Sequence, residues 1–263
     1  MRKIKTDPVE VVSNEEKLRT YYETLHRAWG PQHWWPARTR FEVIVGAYLT
    51  QNTSWKNVEI AMRRLRQAGV LTLAGIRKMP LPDIEVLIRS SGYFRQKALR
   101  LKLFVAFVDD RYGGSLNRMF AQSTDKLRRE LLALNGIGPE TADSILLYAG
   151  QHPVFVVDAY TRRMLERHEI ISANASYEEI RGLFERALVG TSEPIRTPSL
   201  RVATKSQPAH PPSAMSQAKR SSLAQIYNDM HGLIVSVGKS YCLKSKPRCE
   251  ECPLRQFLPK IGK

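Results

Sequence analysis

Residues 134–158 concentrate the side chains and backbone that can do chemistry. Two glycines, Gly136 and Gly138, stand two apart around Ile137 in the turn Leu-Asn-Gly-Ile-Gly; Pro139 and Glu140 follow, and one carboxylate, Asp158, closes the apolar run Val-Phe-Val-Val. Glycine admits left-handed backbone and the close approach of a ligand, and proline at a first helical position forfeits no useful hydrogen bond. Backbone N–H groups at such a turn and at a helix N-terminus attract an anion. A phosphate held there, with an acid nearby, points to chemistry on a nucleic-acid backbone or sugar. Each group also has a purely structural reading: Asp158 can cap the helix that follows it, and Glu140 suits the positive end of a helix dipole. Elsewhere, Cys242, Cys249 and Cys252 lie together near the C-terminus. They make no disulfide framework, and their clustering points to a metal.

These residues need elements to hold them, and nearly all of those read as helices. An amphipathic helix, Thr-Asp-Lys-Leu-Arg-Arg-Glu-Leu-Leu-Ala-Leu, leads into the turn, a second helix opens at Pro139, and a third starts just after Asp158. The run before Asp158 is strand-like. Ser13 and Glu16 have capping-box spacing and predict a helix over 14–29, with Leu18, Tyr21, Tyr22 and Leu25 on one face. Ser176 and Glu179 predict another. Residues 41–51 predict a buried helix, followed by a polar turn and an amphipathic helix. Pro82 and Gly92 bracket a short helix, and a longer one ends at the paired glycines Gly113 and Gly114. The expected fold is all-α: two helical lobes with a helix-hairpin-helix motif and a C-terminal Cys-rich loop. One lobe, a helical barrel, takes residues 40–152; the other takes 1–39 with 153–263. Residues 191–221, rich in Ser, Thr, Pro and Ala with few apolar anchors, read as a flexible linker.

At 263 residues and a net charge of +16, the chain can bury a real core and calls for a polyanionic partner. No apolar run approaches the roughly 20 residues of a membrane span, and the basic N-terminus lacks the apolar core of a signal peptide. The expectation is a cytoplasmic, nucleoid-associated monomer.

Taken together, the motifs resemble a known family. Leu-Asn-Gly-Ile-Gly-Pro-Glu-Thr-Ala-Asp-Ser-Ile-Leu-Leu-Tyr-Ala, followed by Val-Val-Asp-Ala-Tyr-Thr-Arg-Arg-Met-Leu, is similar to the helix-hairpin-helix and Asp signature of the endonuclease III superfamily of DNA glycosylases. The segments around Leu49-Thr50-Gln51, around Gly92-Tyr93 with Lys97-Ala98, and the Cys tail follow in the family's order. The resemblance implies base-excision repair on double-stranded DNA carrying a damaged base, with Gly136, Ile137 and Gly138 binding DNA. It makes Asp158 the acid that assists cleavage of the N-glycosidic bond. As the base departs the sugar gains positive charge, which a carboxylate stabilises while it activates water. It makes Gln51 the residue that fills the gap left by the flipped base.

Glu140 is the departure: bifunctional members carry at this position a lysine whose amine forms a Schiff base and allows strand cleavage. The resemblance therefore implies a monofunctional enzyme, and Glu140 a helper in positioning water. Trp34, Trp35 and Trp55 resemble the base pocket of the 3-methyladenine branch, where indole faces suit a cationic alkylated purine. The alternatives are a bifunctional endonuclease III-like glycosylase/lyase acting on oxidised pyrimidines, a mismatch glycosylase, or an inactive DNA-binding protein. Cys242, Cys249 and Cys252 match three of the four ligands of the family's [4Fe–4S] loop, but Leu258 stands at the fourth position. A cluster with this incomplete ligand set is the expectation, beside a degenerate loop without one or zinc held by three thiolates and a histidine such as His231.

Overall fold

A computed structural model describes residues 12–191 and 211–259. Among them the regular structure is helical throughout, as the sequence predicts. Helix α1 (Asn14–Trp29) begins at the expected capping box: the Ser13 side chain accepts from Glu16 N while the Glu16 carboxylate accepts from Ser13 N. It buries Leu18, Tyr21, Tyr22 and Leu25. Helix α2 (Arg40–Thr50) is buried along almost its whole length, and α3 (Trp55–Gln67) is amphipathic. Short helices α4 (Leu73–Lys78) and α5 (Leu81–Leu87) precede the long α6 (Phe94–Tyr112) and the brief α7 (Leu116–Phe120). Helix α8 (Thr124–Leu132), the glycine turn and α9 (Pro139–Ser144) form the hairpin. Past it come α10 (Ala159–Arg167), α11 (Tyr177–Leu188) and α12 (Ser222–Ser240).

Helices α2 to α9 form one group, in which α6 packs on α2, α4, α5 and α7 and the α8–α9 hairpin joins through α2, while α1, α10, α11 and α12 pack together. The groups meet where α2 and α12 both lie against the chain after α9. There the backbone widens into a π-helical turn over Ile145–Gly150, with Ile145 to Ala149 buried. An ion network also joins them: Arg128 on α8 donates to Asp143 on α9 at 2.7 and 3.1 Å and to Glu178 on α11 at 2.6 Å, and Tyr177 O–H donates to Asp143 at 2.9 Å.

One expectation changes. The strand-like run before Asp158 pairs with no strand among the described residues. Its backbone is served by side chains instead: Phe155 N donates to Glu185 and Val157 N to the Tyr177 hydroxyl. Buried amides need partners, and any acceptor will do. Phe155 stacks on Phe184 with ring centroids 4.0 Å apart, which explains the apolar run without a sheet. The flexible linker expected over 191–221 lies outside the described residues from 192 to 210. Residues 211–221 are anchored: Met215 N donates to Ala37 O at 3.1 Å, the Ser213 hydroxyl to Trp35 O at 3.0 Å, and Arg220 to Met215 O at 2.6 Å.

Candidate active site

The hairpin turn is built as its glycines predict at one position and not at the other. Gly136 has φ +81°, and a Cβ there would collide with the Arg100 guanidinium. Gly138 is extended, with φ −93°, and caps α9. Ile137 is buried and anchors the turn. Gln51, at the end of α2, is tied into this hairpin: its amide donates to Gly136 O and to Thr141 Oγ1, both at 3.0 Å, and its carbonyl accepts from Arg100 at 2.9 Å.

Between the two helix groups opens a cleft of about 820 Å³ that brings together Gln51, Gly138, Glu140, Asp158 and all three predicted tryptophans. This is the size expected of a small-molecule pocket. Trp34 and Trp35 are buried at its floor, and Trp55 is half-buried. Trp35 meets Trp55 edge-on at 5.4 Å between centroids and lies 5.2 Å from Tyr148. Two glycines make this possible: a Cβ at Gly46 of α2 would come within 3.3 Å of the Trp35 ring, and one at Gly232 of α12 within 3.1 Å of Trp34. The indole N–H of Trp55 is held by Glu59 at 2.9 Å.

Asp158 does what its position before a helix dictates and more. Its Oδ1 accepts from Thr161 N at 2.7 Å and from the Thr161 hydroxyl at 2.9 Å, capping α10. Its Oδ2 is left for the cleft, 3.6 Å from His231 Nε2. Burial pushes this carboxyl up, but His231 and the Thr161 hydrogen bonds outweigh it and hold the group below its ordinary value. Asp158 is therefore an anion at neutral pH. Glu140, in the first turn of α9, behaves oppositely. Its side chain touches solvent at the cleft wall, yet protein mass around it and the charge of Asp158 push it up to about 7. Two carboxyls in one cleft thus hold different protonation states: one can stabilise positive charge while the other accepts or yields a proton near neutrality.

Four residues of the site escaped the sequence reading in this role: His231, Tyr177 and Lys239, which line the cleft, and Tyr148, which lies behind it. Lys239 sits with Nζ 5.4 Å from the centre of the Trp34 ring, and burial lowers its pKa. The one available signal was polar residues in an otherwise apolar helix, Asn228, Asp229 and His231. Such a pattern says that a partner exists without saying which.

The cysteines correct the expected [4Fe–4S] cluster. Among the described residues no three His, Cys, Asp or Glu side chains are grouped so as to hold a metal ion. The cavity that Cys242, Cys249, Cys252 and Leu258 share is only about 20 Å³. Burial pushes the Cys252 thiol up to about 11, and Cys242 Sγ is engaged by Arg167 at 3.2 Å. His231 lines the cleft with Asp158 and is absent from the walls of the cysteine cavity. With Leu258 in the fourth position, these residues fit neither an iron–sulfur cluster nor a zinc ion.

The model of the HhH-GPD superfamily of base excision DNA repair proteins matches residues 45–188, more than half of the chain. A Methanocaldococcus jannaschii protein, itself only assigned as a DNA repair glycosylase, is 40% identical over 92% of this chain and 96% of its own. Endonuclease III of Sulfolobus acidocaldarius is 26% identical over 84% of this chain and 82% of its own. Among solved structures, the H. pylori 3-methyladenine DNA glycosylase MagIII, bound to 1,N6-ethenoadenine, superposes with a TM-score of 0.65 at 27% identity, over 87% of this chain and 98% of that one. With this match laid over the hairpin and its acid, the chain belongs to the HhH-GPD superfamily of base excision DNA repair proteins and is a DNA glycosylase.

Proposed function

We propose that this enzyme is a monofunctional glycosylase that hydrolyses the bond between deoxyribose and a damaged purine, with alkylated purines as its substrate class. The observation that carries the reading is the cleft itself: Asp158 stands at its wall, indoles line its floor, and a carboxyl, Glu140, occupies the position where a lyase would need an amine. Asp158 stabilises the positive charge that develops on the sugar and takes a proton from the attacking water; the departing base leaves with its electron pair. Glu140, protonated below about 7, can donate to that base or order the water. Trp34, Trp35 and Trp55 supply faces and edges for a flipped base. The 27% identical MagIII, bound to a modified adenine, supports the purine reading.

The two helix groups act as lobes, divided near residues 40 and 152, with double-stranded DNA lying across the cleft. Gly136, Ile137 and Gly138 position a phosphate, and Gln51, at the cleft mouth, moves from the hairpin carbonyl to the gap left in the duplex. The net charge of +16 supports such a partner.

A second reading has its own support. Several curated relatives are named endonuclease III or, in an animal, endonuclease III-like, which favours action on oxidised pyrimidines. A lyase step would then need another amine, and Lys239 lines the cleft. Methylated duplex and a duplex with one oxidised pyrimidine separate the two, each assayed with and without hot alkali. Base release from the methylated duplex with breaks only after alkali supports the first; breaks before alkali and a borohydride-trapped adduct lost in Lys239→Met support the second.

A further inference from the structure

His231 is almost wholly buried in the middle of α12, and its Nε2 has no partner at hydrogen-bond distance although it reaches the cleft wall. An unpartnered buried ring nitrogen is costly. Its other nitrogen, Nδ1, lies 2.6 Å from the Tyr148 hydroxyl. With its hydrogen on Nε2, the ring presents a donor to Asp158 Oδ2 at 3.6 Å and leaves Nδ1 to accept from the Tyr148 hydroxyl. In the reverse tautomer the Nε2 lone pair would face a carboxylate.

We propose that His231 is a positioning residue: the Tyr148 hydroxyl, bound to its Nδ1, fixes an Nε2–H against Asp158 and so keeps the reacting carboxylate ionised and oriented. This rests on the reading of Asp158 as the acid that serves the glycosidic bond. At 3.6 Å the contact is longer than a hydrogen bond. A shift of a few tenths of an ångström (roughly 0.5 Å) makes it one. The other groups acting on Asp158 and His231 are Glu140 from α9, Lys239 from α12, Tyr148 from the π-helical turn and the Thr161 hydroxyl; Arg220 acts on Tyr148. Of these, Glu140 is itself raised by the charge of Asp158.

Two readouts on the full-length protein test the proposal. The first is the titration of the Asp158 carboxyl by carbon NMR of aspartate-labelled protein, assigned with Asp158→Asn. The second is single-turnover base release from methylated duplex DNA as a function of pH. His231→Leu removes the donor, His231→Gln replaces it with an amide N–H, and Tyr148→Phe releases the tautomer without touching Asp158. His231→Leu raises the Asp158 titration midpoint, moves the acid limb of the rate profile to higher pH, and slows release at neutral pH by roughly tenfold, the size of one hydrogen bond to a charged group. Tyr148→Phe moves both in the same direction by less, and His231→Gln restores them toward wild type. A merely structural histidine would lower the melting temperature of the leucine variant and leave the Asp158 titration unmoved; that result overturns the proposal. If His231→Leu does not fold, Tyr148→Phe carries the same test. If the wild-type protein releases no methylated base, the substrate reading fails while the Asp158 titration still decides the role of His231.

Discussion

On the proposed function Asp158 has two roles on one side chain, and a pair of substitutions separates them. Oδ1 caps α10 with two hydrogen bonds to Thr161, while Oδ2 faces the cleft and His231. Asparagine caps a helix about as well as aspartate, whereas alanine forfeits about 1 kcal/mol. In a domain of this size that corresponds to a fall in Tm of roughly 2–4 °C. Removing the charge also relieves Glu140, whose pKa Asp158 helps to raise, which offsets part of what Asp158→Asn loses. Asp158→Asn should therefore melt within about 0.5 kcal/mol of wild type, and Asp158→Ala about 1 kcal/mol below it. Catalysis ignores this difference. Both variants lose the charge that faces the developing cation, so both should lose about a hundred- to a thousand-fold in single-turnover base release. Calorimetry and release kinetics on the same preparations give both numbers. Equal melting losses in the two variants would refute the capping role, and an Asn variant with near wild-type release would show that the carboxylate is only a cap.

Glu140 predicts a pH dependence. Its pKa in the folded protein, about 7, lies above the ordinary 4.5, so the native state holds a proton that the unfolded chain has lost. This contribution to stability is fully present below about 4.5 and is lost as pH rises through about 7. Glu140→Gln should thus gain on wild type between about pH 5 and 8, by less than about 1 kcal/mol because the side chain reaches solvent; thermal melts at both pH values check it. The Arg128–Asp143 pair predicts a larger effect. The guanidinium holds its proton more firmly, yet Asp143, wholly buried, is held above its ordinary value because burial outweighs the pairing. Arg128→Met leaves that carboxylate without its cation, held by the Tyr177 hydroxyl alone, and should cost about 3–5 kcal/mol at neutral pH. Since a raised carboxyl is tolerated once protonated, the loss should shrink toward acid pH, and Arg128→Met with Asp143→Leu should recover most of it, as urea unfolding would show.

The residues that make the fold legible are those whose geometry is local. Ser13 with Glu16, and Ser176 with Glu179, state their helix starts in four residues each, and both capping boxes form. The hairpin is equally plain, because glycine at 136 answers a backbone need that Gly136 indeed has, with φ +81°. Gly138 is extended, so no left-handed backbone requires a glycine there. The run 154–157 misleads because burial on all sides gives the same apolar pattern as a strand, and only tertiary partners such as Glu185 and Tyr177 tell them apart. The cleft is half legible. Asp158, Glu140, Gln51 and the tryptophans all reach it. His231, Tyr148, Tyr177 and Lys239 come from elements far along the chain from Trp35, and no spacing encodes that meeting. The cysteines show the converse: correct spacing over three positions does not make a ligand set when Leu258 and a cavity of about 20 Å³ complete it.

The central claim is that the chemistry stops at base release. The most direct measurement incubates the wild-type protein with a methylated duplex, quantifies free base, and scores strand breaks before and after hot alkali, with borohydride present in a parallel sample. The predicted result is released alkylpurine, breaks only after alkali, and no trapped protein–DNA adduct. Strand breaks before alkali together with a borohydride adduct would contradict it, and would move the chemistry from a water activated beside Asp158 to an amine.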